Sequence, residues 1–287
     1  MTQMRNLVIV KFGGSVITTK TERKAINRRN LDLICNEIGI AFKGSDKNLI
    51  IVHGGGSYGH PLAKRFGFRY SQISAKENKG KTTTRNSKDV LRHYSKIKTT
   101  MEELNRKVVE TLLLHETPAI SFHPSDFSVT YEGEISSMFT DQIDLCLDKR
   151  EIPVLHGDVV KDKTVGTVIV SGDQILSYLA KKYKDILTFV IVGTDVDGVY
   201  SKDPKIKRDA TRLEVITPQL INELKLKFTT PDIDVTGGMR KKVETLLELA
   251  KDGIDSIIID IKKKGTLSNL IKEGLPQSFE RGTIIKK

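Results

Sequence analysis

The sequence has no tryptophan, two cysteines and no run near the roughly 18 to 20 uninterrupted apolar residues that a membrane-spanning helix needs. A helical membrane protein is thereby excluded, and no membrane partner is expected. Cys35 and Cys146 lie far apart and outside any CxxC pair, which excludes a disulfide framework and a cysteine-rich zinc site. Both thiols are expected to be buried and reduced. Residues 1–6 lead straight into a strand-like run, without room for a charged region, an apolar stretch and a cleavage site. No export signal is expected, and the expected location is cytoplasmic. Internal repeats and low-complexity tracts are missing too.

What is present is an ordinary globular composition with a basic excess. Of 287 residues, 38% are hydrophobic and 29% charged, enough for a real core and incompatible with wholesale disorder. Lys+Arg number 47 against Asp+Glu 36, a formal charge of +11. That excess suits nucleic acid, acidic lipid or a phosphorylated small substrate. Nucleic acid is not expected as a partner, because no helix-turn-helix, zinc-finger or RNA-reading aromatic motif occurs and aromatics total only 6%.

Short runs rich in Val and Ile at residues 7–12, 49–52, 152–155, 187–192 and 257–261 read as buried strands. Stretches with helical spacing at residues 30–42, 87–114, 172–183 and 239–251 lie between most of them. The alternation predicts an α/β fold with a mainly parallel sheet covered on both faces. Ligands of such sheets bind beyond the carboxyl ends of the strands. Turn-rich residues 127–138, around Tyr131-Glu-Gly133, and 159–170, around Lys161-Asp-Lys163, predict two β-hairpin flaps. Residues 67–86 are basic, polar and aperiodic, and are expected to form a mobile loop over or beside the site. A single body spanning 1–287 is expected, divided near Gly172 into two functional halves without a linker.

Four motifs carry chemistry. Lys11-Phe-Gly13-Gly14-Ser15 follows the first strand, with Lys20 beyond it: glycines let backbone N–H groups approach a polyphosphate, and a lysine at the strand end adds fixed positive charge. His53-Gly54-Gly55-Gly56-Ser57-Tyr58-Gly59-His60 follows the next strand as an anion cradle, with Ser57 a candidate N-cap and His60 placed to donate to a phosphate oxygen. His53 is read as structural. Gly193-Thr-Asp195-Val-Asp197-Gly198-Val199-Tyr200 alternates acidic residues, but the ordered ligands and terminal Glu of a calcium loop are missing. Gly237-Gly238-Met239-Arg240-Lys241-Lys242 opens a helix with Lys242 one turn inside, a second anion site. Ala75-Lys-Glu-Asn-Lys-Gly80-Lys81-Thr82 nearly spells a P-loop, yet it neither follows a buried strand nor opens an apolar helix, and it is rejected.

In this order, the motifs resemble those of the amino acid kinase superfamily across nearly the whole chain. Within it, His-Gly-Gly-Gly-Ser-x-Gly-His ending on His60 resembles the isopentenyl phosphate kinases and the related fosfomycin kinases. The resemblance implies a three-layer αβα sandwich with an acceptor-binding half at about 1–171 and a nucleotide-binding half at about 172–287. It implies transfer of the γ-phosphoryl group of MgATP to isopentenyl phosphate, an isoprenoid precursor step of an alternative mevalonate route. Lys11 would touch the transferring group, Lys20 would stabilise the transition state and Lys242 would bind the ATP phosphates. Gly13, Gly14, Ser15, Gly56, Asp195 and Gly238 would complete the nucleotide site. Gly55, His60 and Gly157 would hold the acceptor phosphate. Asp173 resembles the aspartate that orients the lysines, and it could also cap the helix that starts there. No dedicated metal site is expected; Mg²⁺ would arrive with ATP. The hydrocarbon tail would lie against residues 90–104 and the 127–138 flap. A homodimer is implied. The alternatives are a kinase of another small phosphate or phosphonate, and a basic nucleic-acid binder with a vestigial site.

Overall fold

Strand β1 (Leu7–Phe12) is buried along its whole length and lies in the middle of an eight-stranded sheet. In the computed structural model, which describes residues 6–19, 24–66, 87–201, 209–220 and 237–287, its two faces are packed separately. Val8, Val10 and Phe12 join one apolar cluster and Leu7 and Ile9 the other, as the two-residue period of a strand requires. This explains why the strand reads as a continuous apolar run rather than an alternating one.

Next to β1 lie β2 (Asn48–His53), then β6 (Ile152–His156) and the edge strand β3 (Ala119–Ser121). On its other side come β9 (Leu187–Thr194), β13 (Ser256–Asp260), β14 (Gly282–Ile285) and β12 (Val215–Ile216). All neighbours are parallel except β13 with β14. Helices α2 (Arg28–Lys43), α3 (Gly56–Phe66), α4 (Ser87–Leu114) and α9 (Thr266–Glu273) cover the face of Val8. Helices α6 (Asp141–Asp148), α7 (Gly172–Lys182) and α8 (Gly237–Lys251) cover the face of Leu7. The result is the expected three-layer αβα sandwich. None of the helices among the described residues is long and apolar enough to cross a membrane.

The two hairpins form where expected, as β4 (Ser128–Tyr131) with β5 (Glu134–Met138) and β7 (Asp158–Asp162) with β8 (Gly166–Val170). They are not separate flaps: Thr130 pairs with Asp162 and joins them into one four-stranded sheet. Asp162 explains the join, because its carboxylate accepts from the N–H groups of Gly133 at 2.8 Å in one turn and of Thr164 at 2.8 Å and Val165 at 2.9 Å in the other. Burial opposes ionisation of Asp162, but the Thr164 hydroxyl and these N–H donors outweigh it and hold the carboxyl below its ordinary range. Another long-range tie fixes α9, whose Gly265 N-cap supplies no side chain. Glu37 of α2 takes that role, accepting from Gly265 N–H at 2.9 Å, Ser268 N–H at 3.2 Å and Ser268 hydroxyl at 2.9 Å.

Candidate active site

The carboxyl ends of β1 and β2 feed two glycine loops that pack backbone against backbone. A Cβ on Gly14 would lie 2.0 Å from Gly56 N and 2.6 Å from Gly54 O, and one on Gly54 would lie 2.8 Å from Gly14 N. Gly56 opens α3 with φ +47, a conformation that glycine adopts without strain. Thr18, from the first loop, locks the pair: its hydroxyl donates to Gly14 O at 2.8 Å and accepts from Ser57 N–H at 3.0 Å. Ser57 itself lies inside the first turn of α3, so the expected Ser57 cap is replaced by Thr18 acting from another segment. Gly13 is different, since a Cβ there would meet only Ser15 Oγ at 3.6 Å and Val16 at 3.9 Å. The glycines thus divide into those required by loop packing and one that borders open space.

Strand alternation puts Lys11 on the face of Leu7 and Ile9, where the N-terminus of α7 meets it. Lys11 is 3% exposed, and its Nζ lies 2.8 Å from Asp173 Oδ1. A lysine this buried needs a counter-charge. Ser171 caps α7 in a capping box with Gln174, so Asp173 is not the cap and its carboxylate is given over to Lys11. Burial works against the charged form of Asp173, yet the Lys11 and Lys242 ammoniums, helped by Lys241, hold its pKa below the ordinary value. Lys242 is pushed down by burial and by Lys11, against the pull of Asp173 and Asp195. His60 is also lowered, by burial first and then by Lys242 and Lys11, which leaves a neutral imidazole beside two ammonium groups.

These groups surround one cleft of about 390 Å³. It brings together Lys11, Gly13, Gly14, Ser15, Gly55, His60, Gly157, Asp173 and Lys242 from the sequence-predicted set. Gly56 stands at the start of α3, and Gly238 is the second residue of α8. Asp195 follows β9 on the exposed side, its backbone oxygen accepting from Lys262 Nζ at 3.3 Å, outside the cleft wall. Lys20 falls outside the described residues, as do the 67–86 loop and the P-loop-like segment within it. Gly157 donates its N–H to His53 O at 3.0 Å, so its contribution to the wall is the lack of a side chain. Ile97 and Met101 of α4 form an apolar wall, as residues 90–104 predict; the hairpin residues in that wall are Ile169 and Val170, rather than any from 127–138. Lys241 and Asp158 line the cleft as well and were not assigned roles from sequence. Lys241 sits inside the quoted motif, where two adjacent lysines cannot be told apart without the helix's orientation.

A buried lysine held by a partly buried carboxylate, a second lysine near it, glycine loops at strand ends and a histidine in one cleft define a small-molecule phosphotransferase. The chain belongs to the amino acid kinase family, whose model it matches over residues 6–260. It is 36% identical over 271 residues to an isopentenyl phosphate kinase of Methanothermobacter thermautotrophicus, covering 92% of this chain and 95% of that protein. An isopentenyl phosphate kinase of Methanocaldococcus jannaschii is 35% identical, covering 84% of this chain and 86% of that protein. A solved isopentenyl phosphate kinase structure superposes with a TM-score of 0.79 at 34% identity, over 98% of this chain and 100% of that one. A UMP kinase of Ureaplasma parvum shares the fold alone, at TM-score 0.61 and 16% identity.

Proposed function

We propose that the protein transfers the γ-phosphoryl group of ATP to the phosphate of isopentenyl phosphate, giving isopentenyl diphosphate and ADP. The observation that carries this reading is His60, its pKa lowered by burial and by Lys242 and Lys11, lining one cleft with those two lysines and with the apolar Ile97 and Met101. A phosphate with a short hydrocarbon tail matches that combination of charged and apolar lining. The acceptor oxygen is already ionised at neutral pH, so no general base is required. What the site must supply is alignment and relief of repulsion between two anions. Lys11, pinned by Asp173, would touch the transferring group; Lys242 and the α8 N-terminus would take the ATP phosphates. His60 would donate one N–H to the acceptor phosphate, and Lys20 would add charge to the transition state.

The glycine cradle, open at Gly13 and flanked by Lys242, suits a polyphosphate. Among the described residues no group of three or more His, Cys, Asp or Glu gathers as metal ligands. Mg²⁺ would arrive with ATP and be held chiefly by phosphate oxygens, where it would screen charge. We further assign the acceptor to the half before Gly172 and the body of the nucleotide to the half after it, with the glycine loop after β1 reaching across to the ATP phosphates. A cytoplasmic homodimer serving isoprenoid precursor synthesis completes the reading. Phosphorus NMR of a reaction with ATP and isopentenyl phosphate tests it: the expected product carries two coupled phosphorus resonances. ADP formation with the monophosphate unconsumed would refute it.

A further inference from the structure

Beneath the acceptor end of the cleft runs a row of rings that follows from sheet register. Phe12 pairs with His53, and His53 with His156, so the last residues of three adjacent strands share one face. Their centroids are 6.1 Å apart for Phe12 and His53, and 5.7 Å for His53 and His156, while His123 closes on His156 at 5.2 Å. His53 and His156 are fully buried. Each is pushed down to about 3, chiefly by burial with a neighbouring imidazole's help, so both stay neutral at any working pH.

Neutral rings carry one proton each, and the neighbours dictate where. Asn105 accepts from His53 Nε2 at 2.9 Å and donates to Ser121 Oγ at 2.7 Å and Val154 O at 3.3 Å. Ser121 then donates to His123 Nε2 over 3.4 Å, the longest link. His123 Nδ1 donates to His156 Nε2 at 2.9 Å, and His156 Nδ1 donates to Gly157 O at 3.0 Å. Gly157 N–H returns to His53 O at 3.0 Å and closes the ring. From His53 Nε2 to the Gly157 carbonyl every link runs in the same direction, an arrangement in which each bond polarises the next. In this assignment His53 Nδ1, 3.2 Å from Gly54 O, carries no proton and is not a donor.

We propose that His156 is a positioning residue for phosphoryl transfer, fixing Gly157 against the acceptor phosphate through its Nδ1 bond at the end of this chain. The proposal rests on the acceptor assignment above. A glycine carbonyl free to turn into the cleft would aim a lone pair at an anion; the imidazole holds it down, and the bond from Gly157 N–H to His53 fixes the preceding peptide. Asn105 lies one helical turn from Met101, so the same chain ties the apolar wall to the phosphate end.

Two substitutions separate this role from packing. In His156→Asn the amide nitrogen occupies the place of Nδ1 and keeps the Gly157 bond; in His156→Gln the amide reaches the place of Nε2, where its oxygen accepts from His123 Nδ1–H, and the Gly157 bond is lost. The Gln variant is expected to raise the KM for isopentenyl phosphate about fivefold, the worth of one hydrogen bond, with the KM for ATP unchanged. The Asn variant is expected to stay within about twofold of wild type. Equal effects of the two variants, or an equal rise in both KM values, would overturn the proposal. Nitrogen NMR of histidine-labelled wild-type protein gives a readout independent of the acceptor: protonated Nδ1 in His156 and His123, protonated Nε2 in His53. A proton on His156 Nε2 would overturn the chain itself. Wild-type protein that leaves isopentenyl phosphate untouched would instead remove the acceptor assignment, with the tautomers still deciding the hydrogen-bond ring.

Discussion

Asp173→Asn keeps the shape of the side chain and deletes the charge that holds Lys11. Lys11 is 3% exposed and would be left facing Lys242 without its counter-ion. Removing one partner of a buried pair costs about 3–5 kcal/mol. Asp173 retains 20% of its side-chain exposure, so solvent screens part of that cost and about 2–3 kcal/mol is the expected loss. At about 2–4 °C per kcal/mol for a chain of this size, Tm should fall by roughly 4–12 °C. The effect has a pH signature. Asp173 has its folded pKa below the ordinary 3.8, so its stabilisation is complete above that value and is lost as pH falls through the folded pKa. Urea denaturation of wild type and variant should therefore show a constant gap from about pH 8 to about pH 5, narrowing below about pH 4. Turnover should fall about a hundredfold through misplacement of the Lys11 ammonium. A variant as stable as wild type at pH 7, or a gap that does not narrow in acid, would refute the reasoning.

His60→Ala should cost about a hundredfold to a thousandfold in kcat/KM for the acceptor, the range for one donor to a developing charge, with the KM for ATP within about twofold. Steady-state kinetics with each substrate varied would show it. Gly14→Ala and Gly13→Ala should part company: a Cβ on Gly14 lies 2.0 Å from Gly56 N and backbone must move, whereas one on Gly13 makes ordinary contacts. Thermal melts should place the Gly14 variant well below wild type and the Gly13 variant beside it, with the Gly13 change appearing as a raised KM for ATP. Glu37→Ala strands two N–H groups of α9, one hydroxyl and a buried gap, and should lower stability by about 2–4 kcal/mol in denaturant titration without touching either KM.

Features that depend on local pattern were legible in the sequence. The strand at residues 7–12 and the helix at 87–114 have the bounds that their apolar spacing predicts. Lys11, His60, Asp173 and Lys242 stand in glycine-rich or helix-opening motifs, and all four meet in one cleft. Features that depend on distant partners were not. Thr18 caps a helix begun 38 residues later, and Glu37 caps one more than two hundred residues away. Neither leaves a spacing to read, because the bond is made by tertiary packing. Ser57 and Asp173 were natural cap candidates by position, and each lost that role to a neighbour with better geometry, Thr18 and Ser171. His53 was read as structural, but its place in a ring with His123 and His156 follows from sheet register, which no single segment encodes.

The central claim is that the cleft takes a phosphate bearing a short hydrocarbon tail. It is tested most directly by measuring ADP release across a panel of isopentenyl phosphate, dimethylallyl phosphate, geranyl phosphate, fosfomycin, glutamate and UMP. Isopentenyl phosphate is expected to show the highest kcat/KM, with no turnover of glutamate or UMP. A higher kcat/KM for fosfomycin, glutamate or UMP would contradict it.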